Sequence, residues 1–219
     1  MRRALRSILE RRDPGRESTM EQTRADAWAL MTEYTASESL RRHMMAVEAA
    51  MRAYAREFGE DEERWGIVGL LHDFDYEQHP NPEAKSDPDE HPLYGSAVLR
   101  EKGYPEDVIY AIQTHADYLG LPRKSRMDKT LFAVDELTGL ITAAALVRPD
   151  RSLENLEAKS VRKKMKDKGF ARGVNRDDVI NGAQDLGVDL DQHITFVIQA
   201  MRGIAPELGL AGSVTEVAS

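Results

Sequence analysis

The sequence contains no cysteine, and this absence excludes several kinds of chemistry. Disulfide bonds, thiolate zinc sites, iron–sulfur clusters and cysteine nucleophiles all require a residue that the chain lacks. Any transition-metal site must therefore be built from His, Asp and Glu side chains. The lack of cysteine also agrees with a reducing compartment, and we expect a cytoplasmic protein.

Excess positive charge and long uncharged apolar runs are also missing. The formal net charge is -8, which argues against a surface that binds duplex nucleic acid. The most apolar stretch, residues 130–147, carries Asp135 and Glu136, so we predict a buried helix there and no membrane span. The basic segment 1–16 has no apolar core, and we expect no signal peptide.

No stretch shows the alternation of apolar and polar residues that is typical of strands. Apolar residues recur instead at helical spacing, most clearly at Leu40, Met44, Val47, Met51, Tyr54 and Phe58. Comparable patterns predict helices over residues 24–34, 61–72, 127–147, 157–167, 177–186 and 191–201, and others that begin near His91 and Tyr104. Residues 74–90 contain three prolines and six acids, so we predict a loop. The sequence therefore predicts an all-α fold.

A chain of 219 residues fits one domain with a substantial core. We predict a peripheral arm over residues 1–19, with Met20 as an alternative start, and a core over residues 20–150. A helical extension, residues 151–202, would pack on that core. Residues 203–219 lose the helical pattern and are predicted to be a loose tail.

Four residues of metal-ligand type lie on or beside the apolar faces of three predicted helices: His43, His72, Asp73 and Asp135. A buried carboxylate is costly unless it is paired or bound to a cation. A divalent metal would remove this cost for both acids, so we predict a buried metal site inside the helical bundle. Two further histidines, His91 and His115, are predicted to face the same core. We assign His79 to the loop surface and His193 to surface or packing.

The order His43, His72-Asp73, Asp135 resembles the HD superfamily of metal-dependent phosphohydrolases, over about residues 40–147. His91 and His115 resemble the extra ligands of its dinuclear branch. That branch includes cyclic-dinucleotide phosphodiesterases, diadenosine tetraphosphate hydrolases and di-iron oxygenases such as myo-inositol oxygenase. The resemblance implies that Asp73 bridges two ions, one held by His43, His72 and Asp135 and the other by His91 and His115.

The sequence departs from the cyclic-dinucleotide enzymes at two points. Those enzymes usually carry a lysine shortly after the His-Asp pair, whereas Phe74-Asp75-Tyr76 follows here. They also carry a glycine-tyrosine-proline signature, and here Gly103-Tyr104-Pro105 lies after His91 at a predicted helix start. The cofactor is expected to be one or two divalent ions per chain, with iron, manganese, nickel, zinc, cobalt and magnesium all open.

The resemblance implies hydrolysis of a small phosphorylated molecule, a nucleotide or related phosphoester, by a metal-activated water, with Asp73 as the catalytic residue. Lys129, six residues before Asp135, is a candidate for substrate binding. Lys163 and Lys164 are further candidates, because they lie in a segment, residues 159–176, with eight basic residues and one acid. A solvated helix surface is the alternative for these lysines. Two alternative functions remain open: a di-iron oxygenase, and a metal-stabilised binding or regulatory module without turnover. The number of subunits is also left open.

Overall fold

The structure, a computed structural model, describes residues 21–212. Within that range the chain forms nine α-helices, one short 3-10 helix and no β-strand, which confirms the predicted all-α fold. The helices are α1 (Arg24–Tyr34), α2 (Glu38–Phe58), α3 (Glu62–Leu71), α4 (Leu93–Glu101), α5 (Glu106–His115), the 3-10 helix (Asp117–Leu119), α6 (Arg126–Leu146), α7 (Ala158–Met165), α8 (Arg176–Leu186) and α9 (Leu190–Arg202). The arm predicted over residues 1–19 and the end of the tail, 213–219, lie outside the described residues.

The helix boundaries follow from local capping chemistry. Thr23 and Ser125 each begin a helix with a capping box. The side chain of the cap residue accepts from the N–H of the aspartate three residues later, and the carboxylate of that aspartate accepts from the N–H of the cap residue. Asp61 caps α3 by accepting a hydrogen bond from the backbone N–H of Arg64. Gly59 ends α2 in the left-handed conformation, at a φ of 71° that favours glycine.

The centre of the bundle is α2, which packs on α3, α6 and α9. Its apolar stripe is buried as predicted, including Met44, Val47 and Met51. Gly69 allows α3 to approach α2 very closely, since a Cβ atom at this position would lie 2.8 Å from the backbone of Glu48. The backbones that carry His43 and His72 are therefore held near each other.

Two buried polar groups brace the core away from the predicted ligands. The carboxylate of Glu48 is paired with Arg24 at 2.6 Å and with Arg52 at 2.9 Å. His193 is fully enclosed: its Nε2–H donates to the carbonyl of Ala133, and its Nδ1 accepts from the hydroxyl of Tyr54. His193 thus links α9 to α6 and α2. It has the packing role that was one of the two roles expected from the sequence.

Residues 203–212 correct the prediction of a loose tail that begins at position 203. Leu208 and Leu210 are buried, and the N–H of Leu153 donates to the carbonyl of Leu210. Pro206 and Gly209 interrupt the helical pattern in this segment. These turns interrupt the helical spacing of apolar residues, but the apolar side chains still pack on the body of the bundle.

Among the described helices, none combines the length and apolar character that crossing a membrane requires. Residues 130–147, the most apolar stretch of the sequence, lie largely in α6, where Leu131, Leu137 and Ile141 are buried in the core. This outcome agrees with the buried helix predicted for the stretch.

Candidate metal centre

All six predicted ligands meet at one place, although they come from distant parts of the chain. His43 lies on α2, Asp135 on α6 and His115 at the last position of α5. The remaining three are His72 and Asp73, directly after α3, and His91, two residues before α4. His72 has no solvent-exposed side-chain area, and His91 and His115 are exposed by only 5% and 8%.

Three of these residues form the first ligand group: His43, His72 and Asp135. The Oδ1 atom of Asp135 lies 3.0 Å from Nε2 of His43 and 3.4 Å from Nε2 of His72. The Oδ2 atom of Asp73 joins this group, at 3.4 Å from Nε2 of His72 and 3.7 Å from Nε2 of His43.

The second ligand group contains His91, His115 and the other oxygen of Asp73. Oδ1 of Asp73 lies 3.4 Å from Nε2 of His91 and 3.5 Å from Nε2 of His115. The two Nε2 atoms are 3.2 Å apart. Asp73 therefore turns one carboxylate oxygen toward each group.

These spacings fit a divalent cation in each group. Ligands about 2.1 Å from an ion in tetrahedral or octahedral geometry are about 3.0–3.4 Å from each other. Most of the distances above match that range, and Nε2 of His72 is buried without a hydrogen-bond partner. Buried polar atoms without a partner are rare, and an ion would provide one.

The tautomers of three histidines strengthen this fit. Nδ1 of His72 faces the carbonyl of Gly69, Nδ1 of His115 faces the carbonyl of Ile112, and Nδ1 of His91 faces a carboxylate. These acceptors require Nδ1 to carry the proton, which leaves Nε2 of each neutral ring with a lone pair. The lone pairs of His91 and His115 then point at each other across 3.2 Å, an arrangement that needs a cation or a proton between them.

Asp75 supports the second group from behind and was not among the predicted site residues. Its side chain is 1% exposed; Oδ1 accepts from Nδ1 of His91 at 2.7 Å, and Oδ2 accepts from the N–H of Gly95 at 2.7 Å. The carbonyl of His91 accepts from Asn81 and Tyr118, both at 2.9 Å. These bonds fix the ring orientation of a ligand that no helix carries.

The electrostatics of the centre favour positive charge. Burial lowers the pKa of His72 and of His115, but Asp73 and Asp135 outweigh burial and raise the pKa of both rings. Burial likewise raises the pKa of Asp73 and Asp135, while the neighbouring histidines, His72 foremost, lower it overall. Without an ion, protons on the histidines supply the charge that the carboxylates require.

The predicted ligands, apart from His72, line a cavity of about 530 Å³. The aromatic side chains on its walls are Tyr76, Tyr118 and Phe132. Three acids outside the ligand groups also line it: Asp117, Glu136 and Asp178. Across residues 21–212, no lysine or arginine contributes to the lining.

Among the described residues, neither Glu136 nor Asp178 forms an ion pair with a lysine or arginine, although the charge of Arg123 acts on Asp178 from beyond ion-pair distance. Burial and the nearby Asp135 raise the pKa of Glu136 to about 7. Burial and Asp117 raise the pKa of Asp178. Both carboxylates lie beside Asn175, whose N–H donates to Glu136 at 3.2 Å.

The structure does not bring the three predicted substrate-binding lysines into this cavity. Lys129 forms an ion pair with Asp185 of α8, with Nζ of Lys129 3.4 Å from Oδ1 of Asp185. The ammonium of Lys164 lies over the ring of Phe170, and Lys163 is exposed on α7. None of the three lines the cavity beside the ligands, and sequence spacing alone did not reveal this.

Comparison with known proteins agrees with this geometry. Ribonuclease Y of Oleidesulfovibrio alaskensis is 30% identical over 171 residues, which cover 74% of this chain and 30% of that protein. The chain thus corresponds to less than a third of that curated relative. No solved structure matches the chain. The family model described as HD domain matches residues 40–146, the segment that holds all six ligands, and through this segment the chain belongs to the HD domain family.

Proposed function

We propose that this protein is a metal-dependent phosphohydrolase that cleaves a phosphoester of a small molecule. The observation that carries the proposal is the position of Asp73, whose Oδ2 faces His43 and His72 while Oδ1 faces His91 and His115. One carboxylate between two histidine groups is suited to hold two cations close together.

The ligand groups divide the binding of the cations. His43, His72 and Asp135 would hold one, His91 and His115 the other, and Asp73 would contact both. A pair of divalent cations, when bound, lowers the pKa of water and stabilises charge on phosphoryl oxygens. Asp73 would then orient the attacking water at the centre of the site, which makes it the candidate catalytic residue.

Hydrolysis at this site has a simple balance. The oxygen of the water forms a bond to phosphorus, and the bond between phosphorus and the ester oxygen breaks. The departing alcohol takes up a proton, and inorganic phosphate or a phosphomonoester remains. The name of the relative, Ribonuclease Y, is consistent with phosphoester cleavage in the wider family.

The cavity favours an enzyme over a binding module without turnover. A module whose ions only stabilise the fold has no need of space beside them. Here a cavity of about 530 Å³ lies against the ligands, a size within the usual range for small-molecule sites. The ligand side chains of Asp73 and Asp135 are still 17% and 19% exposed, and so are accessible to a substrate.

The proposal is tested by metal analysis of protein purified without added metal, followed by phosphate-release assays. p-Nitrophenyl phosphate, bis-p-nitrophenyl phosphate and nucleotides should be tried with Mn²⁺, Ni²⁺, Fe²⁺, Co²⁺, Zn²⁺ and Mg²⁺. We expect metal-dependent hydrolysis that Asp73→Ala abolishes and that Asp191→Ala, at an exposed acid on α9, retains. No phosphate release with any metal, together with oxygen uptake by the iron-loaded protein on an organic substrate, would favour the di-iron oxygenase.

A further inference from the structure

The walls of the cavity, as formed by residues 21–212, lack the lysine and arginine side chains that a site for polyanions would carry. Apart from the metal ligands, the ionisable side chains that line it in the described chain are the acids Asp117, Glu136 and Asp178 and the phenols Tyr76 and Tyr118. A nucleoside triphosphate carries about four negative charges, and phosphates beyond the one at the ions would face these acids.

The acids are not equivalent, because within the described residues only Asp117 forms an ion pair. Asp117 is paired with Arg123 at 2.7 Å, and Arg123 is also held by Asp185 and by the ring of Phe132. Glu136 and Asp178, in contrast, have no ion-pair partner within the described residues. Both carboxylates therefore face whatever occupies the cavity without an ion pair to a described lysine or arginine.

A second observation marks this cavity as a ligand site. Nε2 of His72 is fully buried, has no hydrogen-bond partner, and points toward oxygens of Asp73 and Asp135 that line the cavity floor. The floor is thus prepared for cations that bind a phosphoryl group. Glu136 and Asp178 line the same cavity and offer carboxylate oxygens to a positively charged group.

We infer that the substrate is a phosphomonoester whose alcohol part carries an ammonium group, with its phosphate at the metal centre and its cation against Glu136 and Asp178. This inference rests on the proposed phosphohydrolase function and specifies its substrate class. The rings of Tyr76 and Tyr118 add surfaces over which an alkylammonium group can lie. Nucleoside di- and triphosphates, which the sequence left open, would be poor substrates.

The test compares two probes of nearly identical shape. Phosphocholine and 3,3-dimethylbutyl phosphate differ only in whether the terminal quaternary atom is a charged nitrogen or a neutral carbon. We expect kcat/KM for phosphocholine to exceed that of the neutral probe by about tenfold or more, as one charge-assisted contact would give. ATP and ADP should be slower than either probe.

Variants connect this preference to the two acids. The double variant Glu136→Gln, Asp178→Asn should bring the ratio of the two probes close to one while it still hydrolyses 3,3-dimethylbutyl phosphate. Asp177→Asn, next to Asp178 but outside the cavity lining, should keep the parent ratio. Ligand-observed NMR should also show that choline binds the parent protein, and that 3,3-dimethylbutanol does not.

The outcomes separate this inference from the function on which it depends. Hydrolysis of p-nitrophenyl phosphate with equal or better turnover of ATP or the neutral probe would overturn the substrate class and leave the phosphohydrolase intact. A preference for phosphocholine that survives in the double variant would overturn the role of the acids. Failure to hydrolyse any phosphoester would reject the proposed function itself, and the NMR comparison would still decide whether the cavity binds organic cations.

Discussion

Oδ1 of Asp75 accepts a 2.7 Å hydrogen bond from Nδ1 of His91, while Nε2 of the same ring faces Asp73. A carboxylate behind a histidine ligand fixes its tautomer and increases its basicity. The second oxygen of Asp75 is held by the N–H of Gly95. Asp75 therefore positions His91, the ligand that directly follows the proline-rich loop.

Asp75→Ala is expected to weaken the ion held by His91 and His115 by about 10- to 100-fold, with a smaller effect on the other ion. Competition with a chromophoric chelator measures both affinities. Thr138→Val is the matched control in the first ligand group. It removes a hydroxyl that lies 3.5 Å from Nδ1 of His43. Equal weakening of both ions by Asp75→Ala would contradict a role directed at His91.

The shared position of Asp73 predicts an asymmetric pattern of metal loss. His115→Ala should reduce the bound metal from two ions to one, since His115 belongs only to the second group. Asp73→Ala should weaken both ions, because each of its oxygens faces one group. Metal analysis after gel filtration would show the difference. A parent protein that saturates at one ion, with His115→Ala unchanged, would restrict the site to a single metal.

The stability of the metal-free and metal-loaded forms should respond to pH in opposite directions. The pKa values of His72 and His115 are raised in the folded chain, above about 6.5 in the unfolded chain. Their contribution to the metal-free form is complete below about pH 6.5 and is lost as the pH rises through the folded values. Cations displace these protons, so the stabilisation by metal increases with pH.

Urea unfolding with EDTA or with Mn²⁺, over about pH 6–9, measures both curves. The free energies of unfolding should diverge as the pH rises. Parallel curves would show that the histidines do not exchange protons for metal.

The close contact between α2 and α3 predicts the effect of one added methyl group. Gly69→Ala places a Cβ atom 2.8 Å from the backbone of Glu48, which should destabilise the fold by about 1–3 kcal/mol. Gly139→Ala is the matched helical control, since its Cβ would lie 3.8 Å from Val174, and should stabilise by up to about 1 kcal/mol. Thermal unfolding compares the two variants, and equal stability would mean that α3 moves away without cost.

Much of the fold was predictable because helical periodicity and capping signals are local. The stripe on α2, the stop at Gly59 and the loop of residues 74–90 were all visible in the sequence. The packing of residues 203–212 was not, since Leu208 and Leu210 are separated by a glycine turn that erases any period. Burial there depends on the body of the bundle and not on the segment itself.

The ligands were recognisable by residue type and position, whereas their supports were not. Asp75 lies in a turn-rich loop, where no period distinguishes a buried acid from an exposed one. Glu136 and Asp178 meet only because α6 and α8 pack together. Lys129 follows Asp128 on the first turn of α6, and only the position of α8 determines that it faces Asp185.

The segment between Asp73 and His91 contains turns but no regular helix, and both of its ends belong to the second ligand group. An ion bound by that group would therefore link the two ends of this loop to each other. Its release would leave the loop held by hydrogen bonds such as those of Asp75 and Asn81, while the surrounding helices keep their own packing. Shortage of metal would then appear first as cleavage by proteases between residues 76 and 90, before any loss of helical structure.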